Sequence, residues 1–267
     1  MNNVFKYSEK TIANFESAFN EYGWAIYEDA LTFNQVERIN TDLVNAQAER
    51  REIQLKNGIA DDMGGTLHHL LERDNFALDL LQRTYCHDEI TRYFGGNYIL
   101  NGLNAVMHVK NEYSYAGKMH RDVRTFMTDT KLLIQMIITL DEFNLLNGAT
   151  YFLSGSHKTS HKLNETDFYK NAHRAIAPKG SIILFDSNIW HAAGENFTSK
   201  PRRALTLGFS PPYFKPQFDY CRFLGYDFVK SLSPELRQVI GYNARIPENL
   251  NEYYQPVSLR MYQPDQR

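Results

Sequence analysis

Between residues 98 and 209 the chain breaks into short segments rich in β-branched and aromatic residues. No other feature restricts the fold as much. The segments fall near Tyr98–Val109, Lys131–Leu140, Thr150–Leu153, His173–Ile176, Ser181–Phe185 and Ala204–Phe209. Turn formers separate them: Asn147-Gly148, Ser154-Gly155, Pro178-Lys179-Gly180 and Gly194-Glu195-Asn196. Short strands of this kind bury their apolar faces by closing on themselves or stacking on a second sheet. The pattern predicts a mainly β core, a double-sheet barrel or jelly roll, with flanking helices.

The flanks read differently. Residues 1–95 predict a mostly helical region that contains one short strand, Gly23-Trp24-Ala25-Ile26-Tyr27. Thr32 stands where a helix cap belongs, and Val36, Ile39, Leu43 and Val44 follow at helical spacing. Phe76 to Tyr93 predicts one or two further helices. The core is expected over 96–215. A helix, Pro234 to Gly241, and a Tyr- and Pro-rich tail are expected over 216–267. No repeat or linker divides the 267 residues, so one domain is expected.

Composition excludes several classes. A net charge of -2 provides no electrostatic footprint for nucleic acid. No apolar run approaches a membrane span, and the first ten residues lack the apolar stretch of a signal peptide. Cys86 and Cys221 are too few for a disulfide scaffold and are expected as buried thiols in a reducing cytoplasm. The 17 Tyr and 17 Phe serve core packing and can also line a pocket for a small organic ligand. A small-molecule substrate is therefore the expected partner. The aromatic tail can close the active site or pair with a second subunit as a homodimer.

The chemistry lies in His120-Arg121-Asp122 and the distant Trp190-His191. In an extended strand, residues i and i+2 share a face, which would put His120 and Asp122 together and turn Arg121 aside. Two imidazoles and one carboxylate on one side of a metal leave the opposite positions open, the pattern of non-haem iron(II) oxygenases. With no Cys nearby, a thiolate zinc site is disfavoured. Arg202 follows eleven residues after His191. On an alternating strand it shares a face with Ala204, Thr206 and Gly208, so its guanidinium has room for a carboxylate. That places it to clamp the distal carboxylate of an oxo-acid whose other end chelates the metal.

The ordered series His120-Arg121-Asp122, Asn147-Gly148-Ala149-Thr150, Ser154-Gly155-Ser156-His157-Lys158, Trp190-His191 and Pro201-Arg202-Arg203 resembles the phytanoyl-CoA dioxygenase family. The resemblance runs from the strand near Gly23 to about Pro211. It implies a double-stranded β-helix, which is a cupin-like jelly roll. It implies iron(II) held by His120, Asp122 and His191, with 2-oxoglutarate bound by Arg202 and oxygen as the second co-substrate. The implied reaction hydroxylates a small organic molecule and releases succinate and carbon dioxide. Many members carry Ser or Thr two residues after the distal His, where this chain has Ala193. Gln135, facing inward on its strand, is then the candidate for additional co-substrate contact. Related halogenases lack the carboxylate, so Asp122 favours oxygenation.

His108, His69, Arg121 and Arg124 are the candidate substrate contacts, each weighed against a structural role. Tyr113, Tyr115 and Phe126 are candidates for a lid. The same iron centre could instead perform desaturation, epimerisation or cyclisation. A jelly-roll binding protein without turnover and a zinc hydrolase on a cupin-like barrel are the other classes considered.

Overall fold

The computed structural model describes residues 2–60, 63, 65–110, 117–123, 125–127, 129–161 and 163–266. Its centre is a seven-stranded mixed sheet. In chain order these strands are β1 (Val4–Lys6), β2 (Trp24–Glu28), β3 (Thr66–Leu67), β4 (Ile99–His108), β5 (Ile134–Thr139), β8 (Ile182–Asp186) and β10 (Arg202–Ser210). Across the sheet they run β1-β2-β8-β5-β10-β4-β3. A smaller sheet has the order β7-β6-β9, with β6 at Tyr151–Phe152, β7 at His173–Arg174 and β9 at His191–Ala192.

Side-chain alternation divides the large sheet between two cores. Ala25, Tyr27, Leu103, Ala105, Met136, Ile138, Ile182, Leu184, Leu205 and Leu207 pack on one side. They meet the helices there, including Phe15 and Phe19 of α1 (Ile12–Glu21) and Val36, Ile39 and Leu43 of α2 (Phe33–Lys56). Trp24, Ile26, Ile137, Ile183, Phe185 and Ala204 point the other way, onto Phe152 of the small sheet and Ala175 just after β7. Trp24 stacks on Phe152 with ring centroids 5.0 Å apart, and Phe152 meets Phe185 at 4.9 Å. Burying each such aromatic stabilises the fold by about 2–3 kcal/mol, so the two sheets hold together chiefly through this layer.

The local expectations are met at several points. Thr32 forms a full capping box with Gln35 at the start of α2. Two helices follow at α3 (Phe76–Gln82) and α4 (His87–Phe94). Both cysteines are free and buried. Val44 is a correction: it is 67% exposed, because the buried stripe of α2 runs through Val36, Ile39, Leu43 and Ala46 and leaves Val44 on its far edge. The short strands β1, β3 and β9 carry too few residues to show alternation and were not expected. Beyond the predicted helix at α8 (Pro234–Ile240), the C-terminal region also contains helices over Tyr220–Leu224, Tyr226–Ser231 and Leu250–Tyr253. Among the described residues, no helix is long and apolar enough to cross a membrane.

One close approach locks the small-sheet loops to the large sheet. Gly23 has φ +82, and a Cβ there would collide with the His157 ring. His157 is buried, and burial pushes its pKa down to about 4. Its contact with the Phe19 carbonyl keeps the neutral ring over Gly23. Gly23→Ala is expected to destabilise the protein by about 3 kcal/mol, from backbone strain plus the clash. Urea unfolding should show a lower midpoint with an unchanged slope. A loss below about 0.5 kcal/mol would mean that the ring can move aside freely.

Candidate metal and oxo-acid site

His120 and His191 face each other across a two-residue bridge, with each backbone N–H donating to the other's carbonyl at 3.0 Å. This places the imidazole centroids 4.2 Å apart. The expected extended strand through Asp122 is absent. His120 makes a single bridge, and the chain then bends so that the Asp122 N–H donates to the Ser187 carbonyl at 3.1 Å. The carboxylate is brought to the imidazoles by that turn rather than by strand alternation. Asp122 Oδ1 lies 3.5 Å from His120 Nε2 and 3.8 Å from His191 Nε2. One donor atom from each residue lies within 4.8 Å of the other two.

Both rings are held in the tautomer a metal needs. His120 Nδ1 contacts the Lys118 carbonyl at 2.7 Å, and His191 Nδ1 contacts the Ile189 carbonyl at 3.1 Å. Carbonyls only accept, so each Nδ1 carries the proton and each Nε2 offers a lone pair. The His191 ring packs against Phe185 at 4.9 Å. Burial lowers His191 to about 4, against the pull of Asp122, so its imidazole is neutral near pH 7. Burial also opposes charge on His120, but the Asp122 carboxylate outweighs it and raises that group. For Asp122, burial pushes the pKa upward. The two imidazoles and a hydrogen bond from Gln135 prevail, and the carboxylate is held below its usual range.

Arg202 sits on the inner face of β10 and is 4% exposed. Ala204, Thr206 and Gly208 share its face, as the alternation predicts, while Leu205 and Leu207 join the helical core. Its guanidinium lies 4.2 Å above the Phe143 ring and donates to the Gly148 carbonyl. Nε is buried with no partner among the described residues. Arg174 is a nearby cation, and no carboxylate pairs with Arg202 among the described residues. Burial first and then Arg174 lower its pKa to about 10. A buried cation without a counter-ion costs several kcal/mol, so the position calls for an anion. A carboxylate matches the fork geometry of the group.

The remaining candidates are sorted by their contacts. Gln135 faces inward beside Gly208, and its amide supports Asp122. His108 pairs with Arg202 across the sheet and donates from Nε2 to the Gly194 carbonyl at 2.7 Å. The Arg121 guanidinium lies 4.7 Å from both the Phe126 and Trp190 rings and donates to the Ser156 and Thr159 carbonyls. These contacts staple the loop that carries His120 and Asp122 to the 154–159 turn, while Arg121 Nε is buried with no partner among the described residues. Phe126 is part of this staple. Arg124, Tyr113 and Tyr115 lie outside the described residues. His69 stands at the edge of β4, stacked on Phe218 at 4.5 Å. Sequence reasoning missed the pair of facing glycines on the inner face. Gly102 and Gly208 are register partners on β4 and β10, flanked by Asn104 and Thr206 on the same face. Alternation along both strands carried that signal, but their register was needed to read it.

Residues 19–204 match the model of the family described as phytanoyl-CoA dioxygenase. An uncharacterized protein of Mycobacterium tuberculosis is 31% identical over 174 residues, covering 61% of this chain and 64% of that protein. The chain thus spans somewhat less than two thirds of this relative's length. A dioxygenase of Talaromyces verruculosus is 27% identical over 192 residues, covering 67% of this chain and 61% of its own. Among solved structures, AviO1 from Streptomyces viridochromogenes is similar with a TM-score of 0.59 at 19% identity, covering 77% of this chain and 97% of that one. The non-heme alpha ketoglutarate dependent epimerase SnoN from nogalamycin biosynthesis has a TM-score of 0.57 at 16% identity, covering 74% and 80%.

Arg121→Met keeps the apolar stem and removes the staple. We expect the fold to persist and metal affinity, measured by anaerobic calorimetry, to fall about tenfold, as when groups that orient metal ligands are lost. Unchanged affinity would show that the loop holds its shape without Arg121.

Proposed function

Because this chain belongs to the phytanoyl-CoA dioxygenase family, we propose that it is an oxygenase in which His120, Asp122 and His191 hold iron(II) and Arg202 holds 2-oxoglutarate. The buried guanidinium of Arg202 on the same inner face, with no carboxylate paired to it among the described residues, carries this reading. The two sheets packed through Trp24, Phe152 and Phe185 are read as a double-stranded β-helix. The bound metal would supply the oxygen-activating chemistry that couples conversion of the oxo-acid to succinate and carbon dioxide with hydroxylation of a small organic molecule.

The chain's own residues provide orientation and exclusion of water. The carbonyls of Lys118 and Ile189 fix both imidazole lone pairs toward one point. Gln135 fixes the Asp122 carboxylate. Arg202, backed by Phe143, receives the distal carboxylate, and Gly148 keeps the space beside it small. Phe152 and Phe185 wall off His191. With Ala193 in place of a hydroxyl, Arg202 carries most of the grip on the co-substrate.

Anaerobic addition of iron(II) and then 2-oxoglutarate should produce a weak visible charge-transfer absorption. It should be absent in His120→Ala. In Arg202→Ala the apparent affinity for 2-oxoglutarate should fall about 100-fold, the loss of two charge-assisted bonds of about 1.5 kcal/mol each. Iron bound without the absorption would overturn the oxo-acid reading; no iron bound would overturn the triad. Product mass then separates hydroxylation from desaturation, cyclisation or epimerisation.

A further inference from the structure

We propose that His69 and Asn104 form the subsite for the primary substrate, presenting two N–H donors to an acceptor oxygen, either a carboxylate or a ketone-type carbonyl. This rests on the oxygenase reading above and names the substrate chemistry of that site.

The hydrogen-bond accounting decides which atoms are donors. Asn104 Oδ1 accepts the His69 backbone N–H at 3.0 Å. Nδ2 is thereby identified as the amide's other end, a donor with no partner among the described residues. It lies 3.7 Å from where a Cβ on Gly102 would stand, and Gln217 Oε1 lies 3.4 Å from the same point, so the two side chains meet over the glycine. His69 Nδ1 lies 3.2 Å from the Tyr220 hydroxyl, whose oxygen already accepts the Leu103 N–H at 3.0 Å. Tyr220 is 2% exposed, and its proton has only His69 Nδ1 to receive it among these contacts. An unsatisfied buried hydroxyl is costly, so Nδ1 accepts and Nε2 carries the imidazole proton. Nε2–H has no partner among the described residues. Burial, with His68 and Arg50, lowers the His69 pKa, consistent with a neutral ring.

The fold holds this pair rigidly. His69 has φ +54, a left-handed backbone that a side-chain-bearing residue rarely adopts. Arg50 grips its carbonyl at 2.8 Å, and Phe218 stacks on its ring. Strain maintained by several contacts points to a role for the displaced side chain. The placement also matches. Gly208 has Gln135, the partner of Asp122, on one side and Gly102 on the other. Asn104 is therefore about 12 Å from Gln135, two strand spacings across and two residues along β4, by way of the two glycines. A small molecule held by an oxygen at Asn104 would span that distance and present a carbon near the metal ligands.

The test uses full-length protein saturated with zinc(II), a diamagnetic stand-in, and with 2-oxoglutarate so that Arg202 is occupied. Histidine-selective nitrogen NMR reads His69 during titration with cyclohexanecarboxylate, methyl cyclohexyl ketone or cyclohexylmethylamine. The expected result is an Nε2–H tautomer whose resonance moves with an acceptor probe and not with the amine. Asn104→Asp retains the acceptor for the His69 N–H but exchanges the donor for a charged oxygen, so its effect is read on the neutral ketone, where charge repulsion of a carboxylate plays no part. It should weaken binding of the ketone at least tenfold. An Nδ1–H tautomer, an equal response to the amine, or unchanged affinity in Asn104→Asp would overturn the proposal. If wild-type protein with iron(II) gives no charge-transfer absorption, the oxygenase reading fails on its own, and the His69 titration remains readable.

Discussion

The strands at the centre of the large sheet must bury both faces, and the rest of the structure follows from meeting that demand. Ile138, Leu184 and Leu205 require a cover on one side, which helices α1 and α2 supply. Ile137, Ile183, Phe185 and Ala204 require one on the other, and the small sheet supplies it. Each strand carries apolar residues on both faces because each face meets a different layer. A chain satisfying one face alone would expose a broad apolar surface. Packing the two sheets together also brings two distant segments into contact, and that contact holds the candidate metal ligands.

The inner face departs from hydrophobic packing in a limited region. Gly102, Asn104, Gln135, Thr206 and Gly208 replace the Ile, Phe and Ala found elsewhere on it, and Arg202 lies further along β10. The glycines let polar side chains lie close against the sheet: Gln135 over Gly208, and Gln217 with Asn104 over Gly102. Such a region weakens the core, and the surrounding aromatic layer offsets the loss. Arg202 is the most costly element. Among the described residues its Nε has no partner, and Gly148 and the Phe143 ring engage its head. A structural role would be served better by an apolar residue, since buried charges rarely improve on well-packed hydrophobes.

The metal residues were legible because type and order survive in one dimension. His120, Asp122, His191 and Arg202 are few, chemically distinctive, and spaced in a recognisable series. The reason first offered for their meeting was nonetheless incomplete. Strand alternation would have joined His120 to Asp122, whereas the structure uses a bend anchored on Ser187. The contacts of Arg121 were not legible in the same way. Its place beside two ligands invited a substrate role, but Phe126, Trp190 and the Ser156 carbonyl engage it, and two of those three lie far away in sequence.

Period-two patterning and turn residues by themselves determined where β4, β5, β8 and β10 lie and which residues of β10 share a face with Arg202. These are local properties, set by backbone stereochemistry and readable residue by residue. The tertiary structure alone decided the partner of each strand, the facing of Gly102 and Gly208, the contact of Gln135 with Asp122, and the tautomer of His69 imposed by Tyr220. Register and hydrogen-bond accounting depend on groups far apart in the chain, and a one-residue slip would exchange the faces of a strand. Such properties exist only once the layers have packed.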